Sequence, residues 1–227
     1  MSDFVIPTPP TVTVPVASGG DFPVRRVYCI GRNYAAHAVE MGHDPDREPP
    51  FFFQKNPDDL NTTGTFPYPP QSNDVHHEAE VAVFLKSGGT NISLENALDH
   101  VYGYALSLDM TRRDLQGVAK KMGRPWEIGK AFDASAPVGP IHKVEEVGHL
   151  AEGKLEFKVN GETKQSGDLN QMIWKVPEMI SYLSDYYTLA PGDVILSGTP
   201  AGVGPVQKGD EMTISVEGLG EMTVTVT

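Results

Sequence analysis

The stretch His76-His77-Glu78-Ala79-Glu80-Val81-Ala82-Val83-Phe84-Leu85 decides the reading of this chain. Its residues alternate with the period of a β-strand, and side chains two apart on a strand share a face. Glu78 and Glu80 then point the same way, with apolar Ala82 and Phe84 continuing their row. A second apolar run, Tyr104-Ala105-Leu106-Ser107-Leu108, ends in Asp109. Carboxylates on apolar strands repel one another and resist desolvation. A divalent cation resolves that conflict, and oxygen-only ligands favour Mg²⁺, Mn²⁺ or Ca²⁺ over zinc. The same spacing also describes an exposed acidic strand face. Asp109 adds weight to the metal reading, because strand ends are where side chains enter a cleft.

Outward from this stretch, strands dominate. Residues 25–30 read as a short strand stopped by Gly31. Asn33 is placed to cap a helix from Tyr34 to Met41, released at Gly42. Residues 43–50, with three prolines and four charges, read as a loop, and Phe51-Phe52-Phe53-Gln54-Lys55 as a buried strand. Ser93 is placed to cap a brief helix through Leu98, and a strand spans 101–109. Thr111 with Asp114 three residues on resembles a capping box, opening a helix that ends near Gly123. Asn160-Gly161 is a strong hairpin signal. Pro177 suits the first turn of a helix through Tyr187, and Pro191-Gly192-Asp193 turns into a strand over 194–197. Strands at 211–216 and 221–226 flank Gly218-Leu219-Gly220. Residues 1–23 are rich in Pro, Thr and Val and read as an extended arm with little core of its own. The coarse class is α+β, β-rich.

At 227 residues, the chain suits one domain with a sizeable core. A formal net charge of −12 argues against nucleic acid or an anionic membrane as the main partner. An acidic small molecule would need a local positive site. The single cysteine, Cys29, rules out an intramolecular disulfide framework and fits a buried structural thiol. Neither a signal peptide nor a membrane-length apolar run is visible, so the expectation is a soluble cytoplasmic protein.

Four further groups carry possible chemistry. His37 and Glu40 lie three apart, so on a helix they touch, as an exposed ion pair or as a carboxylate-oriented base. Arg113 and Gln116 share a helical face just after Asp109, and Lys130 stands alone among apolar neighbours. Each has an ordinary explanation: a solvated helix face for the pair, a snorkelling stem for the lysine. Ser197-Gly198-Thr199-Pro200-Ala201-Gly202-Val203-Gly204 lets backbone amides and the Thr199 hydroxyl approach a carboxylate, or is simply a tight turn. His76 falls on the Glu78/Glu80 face, which keeps a His/Glu/Glu zinc or iron site open by spacing.

Taken together, Gly31-Arg32-Asn33-Tyr34-Ala35-Ala36-His37, His77-Glu78-Ala79-Glu80, Leu108-Asp109-Met110-Thr111, Arg113-Asp114-Leu115-Gln116 and Gly198-Thr199-Pro200-Ala201-Gly202-Val203-Gly204 resemble the fumarylacetoacetate hydrolase family. The resemblance is to its short acylpyruvase and fumarylpyruvate hydrolase branch. It runs in order from about Arg25 to the C-terminus, so residues 24–227 are expected to form the catalytic domain and 1–23 the arm. It implies a mixed β-sheet roll, usually a homodimer, that hydrolyses a carbon–carbon bond of a 2,4-diketo acid. By motif position it implies Glu78, Glu80 and Asp109 as ligands of Mg²⁺ or Mn²⁺, and His37 with Glu40 as a lid dyad. Lys130 is expected to stabilise enolate charge, and Arg113, Gln116 and Thr199 to contact substrate. Fumarylpyruvate, giving fumarate and pyruvate, is the expected substrate, with Arg32 and Lys55 as candidates for its far carboxylate. Oxaloacetate decarboxylation, or isomerisation or hydration of an aromatic-degradation intermediate, is the alternative in the same family. A non-catalytic relative would lack the dyad or a ligand, and all are present.

Overall fold

The strand Ala79–Leu85 is buried along its whole length and lies third in a mixed six-stranded sheet. In the computed structural model, which describes residues 4–41 and 49–227, the order across that sheet is His142–Lys143, Val101–Leu108, Ala79–Leu85, Asp193–Leu196, Arg26–Gly31 and Phe51–Lys55. Neighbours run antiparallel except Asp193–Leu196 beside Arg26–Gly31. A five-stranded sheet follows the order Glu162–Asp168, Lys154–Val159, Glu211–Val216, Gly220–Val226 and Thr65–Phe66, with only the last pair parallel. This is a sheet-rich mixed α/β architecture, as expected.

The alternation over 81–85 separates two cores rather than core from water. Val81, Val83 and Leu85 join Leu155, Phe157, Ile214 and Val216 of the five-stranded sheet in the main cluster. The helix Val176–Tyr186 adds Met179, Ile180 and Leu183 to it. Ala82 and Phe84 point into a second cluster with Cys29, Val194 and Leu196. Apolar residues on both faces make the strand a continuous hydrophobic run, the pattern of a fully covered sheet. Cys29 is buried, and burial pushes its thiol well up, which fits an inert structural cysteine.

The second cluster corrects the reading of the N-terminal segment. Thr13–Pro15 and Asp21–Pro23 pair as an antiparallel hairpin. It contributes Val14, Val16 and Phe22 to this cluster, Phe22 meeting Phe84 edge-on at 5.3 Å between ring centroids. Part of the expected arm is therefore core; its prolines sit at the strand ends, where a missing N–H is tolerated.

Other expectations hold or shift locally. Asn160 and Gly161 take φ of 52° and 79° and close the hairpin between Lys154–Val159 and Glu162–Asp168 as a type I′ turn. The expected strand over 76–86 is interrupted at Glu78, between Val75–His77 and Ala79–Leu85. Val75–His77 belongs instead to a small sheet with Thr111–Arg112 and Gly204–Pro205. Thr111 does not cap the following helix, Arg113–Lys121; its hydroxyl donates to the Asp109 carbonyl, while Asp114 accepts from Ser72 and Asn73. Phe51–Lys55 is an outer strand of its sheet, so only Lys55 is buried and the phenylalanines are partly exposed. The expected helix release at Gly42, and most of the loop 43–50, lie outside the described residues. Among the described residues no helix is long and apolar enough to cross a membrane.

Asn33 is the most informative correction. The helix Ala35–Glu40 begins after Tyr34, and Asn33 makes no cap. It is fully buried and acts as a bracket: its Nδ2 donates to the Trp174 carbonyl (2.9 Å) and the Ser197 carbonyl (2.8 Å), and its Oδ1 accepts from the Trp174 amide at 2.7 Å. The residue before the His37 helix is thereby tied to the start of the glycine loop 197–204. Replacing Asn33 with Ala removes all three bonds at a buried site, and is expected to lower unfolding free energy by roughly 2 kcal/mol or more. Urea titration checks this; a loss near zero would show that the bracket is dispensable.

Candidate metal centre

Glu80 stands on the central strand opposite Ser107, and Asp109 immediately follows the neighbouring strand. The Asp109 amide donates to the Glu78 carbonyl at 2.8 Å, so the interruption at Glu78 brings all three acids to the same pair of strand ends. One carboxylate oxygen from each of Glu78, Glu80 and Asp109 lies within 4.8 Å of the others, and all three residues are buried. Lys130, 2 % exposed, inserts its ammonium between Glu78 Oε2 (2.8 Å) and Asp109 Oδ2 (2.7 Å). It is no snorkelling stem.

The charges around the three acids are unequal. Burial alone would raise the Glu78 carboxyl, but Lys130, Arg113 and His37 outweigh it and hold it well below the ordinary range. Arg113 makes a 2.5 Å contact to Glu78 Oε1. Among the described residues, Glu80 receives only the Gly198 amide, at 2.8 Å. Burial and the neighbouring Asp109 and Glu78 push it well up. Burial lowers the affinity of Lys130 for its proton, yet Asp109 and Glu78 more than restore it, so the amine stays an ammonium. A compact, buried, all-oxygen donor set with one carboxylate short of positive charge fits a hard divalent cation. Among the described residues this is the one such cluster. His76 is outside it, with Nε2 on Asp74 at 2.9 Å, which removes the His/Glu/Glu reading.

His37, 6 % exposed, lines the same pocket from the helix Ala35–Glu40. Its Nδ1 contacts Glu40 Oε2 at 3.0 Å, and Glu40 Oε1 accepts from the Gly202 amide at 2.9 Å. With Nδ1–H donated to Glu40, Nε2 is left as an acceptor. Gly202 (φ +97°) can be nothing else, since a Cβ there would sit 2.0 Å from the Lys164 carbonyl oxygen. Gly198 (φ +93°) is likewise pressed against Asn33 while its amide serves Glu80.

Arg32, Arg113, Gln116 and Thr199 also line the pocket. Arg113 donates to Gln116 Oε1 at 2.8 Å, which leaves the Gln116 amide nitrogen available as a donor. Lys55 does not line it. Its ammonium is buried against Asp109 Oδ1 (2.9 Å), Ser135 Oγ (2.9 Å) and the Met110 and Lys130 carbonyls. It is a counter-charge for Asp109 and not a contact for a far carboxylate.

Two residues escaped the sequence reading. Gln165 donates to Thr199 Oγ1 at 2.7 Å and accepts from the Ala79 amide, so the Thr199 proton is free to donate elsewhere; no local pattern signals this. Lys120 lines the pocket too, and its spacing of seven from Arg113 on one helix was a usable signal. The pocket leaves a cavity of about 40 Å³.

Residues 26–227 match the model of the fumarylacetoacetate (FAA) hydrolase C-terminal family. The chain belongs to this family. Within the fumarylacetoacetate hydrolase family it is similar to a crystal structure of fumarylpyruvate hydrolase from Pseudomonas aeruginosa in complex with Mn²⁺ and pyruvate. The TM-score is 0.97, with 48% identity and 99% of both chains covered. A fumarylpyruvate hydrolase of Ralstonia sp is 42% identical over 189 residues, 82% of this chain and 98% of the relative. A mitochondrial oxaloacetate decarboxylase of Dictyostelium discoideum is 42% identical over 197 residues, 86% of this chain and 90% of the relative.

Removing Lys55 would leave Asp109 short of a buried counter-charge. Lys55→Met is expected to lower stability by about 3 kcal/mol or more, the usual result of breaking a buried ion pair from one side. Thermal and urea unfolding of the variant measure it, and wild-type stability would show that Lys130 alone satisfies Asp109.

Proposed function

We propose that this protein is a metal-dependent hydrolase that cleaves the carbon–carbon bond of fumarylpyruvate, releasing fumarate and pyruvate. The observation that carries the reading is a carboxylate-oriented imidazole, His37 on Glu40, facing the same pocket as a buried carboxylate triad and an ammonium. Hydrolysis needs a base for water and a sink for enolate charge, and the pocket has one of each.

Glu78, Glu80 and Asp109 would hold Mg²⁺ or Mn²⁺, which supplies Lewis-acid polarisation of the pyruvoyl oxygens when bound. Arg113, the Gln116 amide and the Thr199 hydroxyl bind the pyruvoyl carboxylate by charge-assisted hydrogen bonds. His37 Nε2 takes a proton from water as the water oxygen attacks the distal carbonyl carbon. The bond between that carbon and the pyruvoyl methylene then breaks. Its electrons pass to the pyruvate enolate, which Lys130 stabilises as an adjacent cation, and the acyl half leaves as fumarate. Protonation of the methylene carbon gives pyruvate. The His37 helix serves as a lid over the pocket, and lifting it off the glycine loop would break the Glu40–Gly202 contact.

Oxaloacetate decarboxylation draws support from the equal identity of the oxaloacetate decarboxylase relative, and it shares the enolate. It needs no activated water, so it leaves the His37–Glu40 pair without a task. Purified protein supplied with Mn²⁺ and either fumarylpyruvate, acetylpyruvate or oxaloacetate distinguishes the readings through pyruvate release. Fumarylpyruvate is expected to give the highest kcat/KM, with activity lost in EDTA; a higher value for oxaloacetate would overturn the proposal.

Two variants probe the roles separately. His37→Ala is expected to lower kcat by about 10²- to 10⁴-fold, the range of general base catalysis, while Mn²⁺ still binds. Glu80→Ala is expected to abolish Mn²⁺ binding in titration calorimetry. Unchanged turnover in the first, or intact metal binding in the second, would remove that assignment.

A further inference from the structure

Beyond the triad, the pocket holds two cations that the cleavage steps do not use. Arg32 and Lys120 both line it and are half-buried. Neither has a carboxylate partner among the described residues, and the pocket's acidic lining is confined to Glu78, Glu80 and Asp109. Lys120 Nζ stands 5.8 Å from the Trp126 ring centroid, and Arg32 Cζ 5.5 Å from that of Phe51. The Phe51 and Trp126 rings are themselves 5.0 Å apart, so the two cations flank one aromatic wall. Phe53 continues that wall to Lys130, whose ammonium is 5.0 Å from its ring. The pocket therefore runs from carboxylates and Lys130, past an apolar surface, to a second positive end.

Backbone conformation strengthens the point for Arg32. It takes φ of 59°, a left-handed conformation that a non-glycine residue adopts at a cost, between the strand Arg26–Gly31 and the helix Ala35–Glu40. Burial, and then the neighbouring Arg32 and Arg113, also make Lys120 a weaker base than usual, more than Glu78 offsets.

The helix supplies a length. Arg113, Gln116 and Lys120 follow the i, i+3, i+7 spacing and share a face of Arg113–Lys121. Seven residues rise about 10 Å along the axis, and Arg113 marks the triad end by its contact with Glu78. Extended carbon chains advance roughly 1.3 Å per bond, as the 3.8 Å Cα–Cα step over three bonds indicates. The carboxyl carbons of a seven-carbon 2,4-dioxo diacid are then about 8 Å apart, and those of a four-carbon oxo diacid about 4 Å. With hydrogen-bonding reach at each end, the longer chain spans the pocket and the shorter does not.

We propose that Lys120 and Arg32 form a distal carboxylate site that selects an extended dicarboxylate of about seven carbons over both shorter diacids and monocarboxylates of equal length. This rests on the diketo-acid reading of the same pocket and names the end of the substrate that reading leaves unassigned.

The test has a binding arm and a kinetic arm. In the presence of Mn²⁺, calorimetry compares 2-oxoheptanedioate with 2-oxoheptanoate, which differ only in the far carboxylate. Wild type is expected to bind the diacid at least tenfold tighter. Lys120→Met and Arg32→Asn are each expected to reduce that preference several-fold, and Lys120→Arg to keep it; Asn tolerates the left-handed backbone at position 32. In kinetics, Lys120→Met is expected to lower the ratio of kcat/KM for fumarylpyruvate to that for acetylpyruvate at least tenfold, mainly through KM. Absence of a diacid preference in wild type, or a preference that both variants retain, overturns the distal site whatever the enzyme's activity. If fumarylpyruvate is not cleaved yet the diacid preference exists and depends on Lys120, the hydrolase reading fails and the distal site stands.

Discussion

Three buried carboxylates with oxygens within 4.8 Å of one another are the constraint around which this molecule is arranged. At the short separations and low polarity of the site, their mutual repulsion would exceed what hydrophobic burial of any single neighbour returns. Lys130 lies between Glu78 and Asp109, Lys55 sits on the other oxygen of Asp109, Arg113 covers Glu78, and the Gly198 amide serves Glu80. Each comes from a separate structural element. The acids can stay buried only when the strands, the Arg113 helix, the Glu127–Lys130 turn and the glycine loop are all in place, so the site and the fold are one cooperative unit.

The glycine loop makes the unit responsive. Its first glycine binds a triad member, its third residue presents Thr199 to the pocket, and Gly202 holds Glu40 on the far side. Asn33 links the base of the His37 helix to the same loop through Ser197. A helix of six residues has little stability of its own; its position over the pocket depends on these two attachments. One end is a buried amide bracket, the other a single hydrogen bond from the Gly202 amide to an exposed carboxylate.

The positive charge of this acidic protein is concentrated in the pocket. The chain carries a net −12, yet Arg32, Arg113, Lys120 and Lys130 all line one pocket. Three of them, at 113, 120 and 130, come from one short region, and the helical repeat orders two of them along the pocket's length. The exterior charge suits solubility, and the interior charge suits the ligand.

How much of this was legible in the sequence depends on the range of the interaction involved. The Ala79–Leu85 strand, the Asn160-Gly161 turn and the Pro177 helix follow from local periodicity and backbone preference, which a sequence carries directly. The motif residues at 37, 40, 78, 80, 109, 113, 116, 130 and 199 were recognisable as a set, and all but Glu40 line one pocket, with Glu40 held against His37. Lys130 was placed by motif position, whereas Lys55 was expected at the far carboxylate, and only long-range packing turns it into a buried strut on Asp109. Asn33 looked like a helix cap because capping is the commonest local use of that side chain, whereas its partners lie 141 and 164 residues away. The sequence by itself determined which polar residues would gather at one pocket and which segments are strands and helices. Tertiary structure decided the break at Glu78, the partner of each buried charge and the direction in which the pocket runs, because electrostatic pairing at a buried site depends on distances that no local pattern encodes.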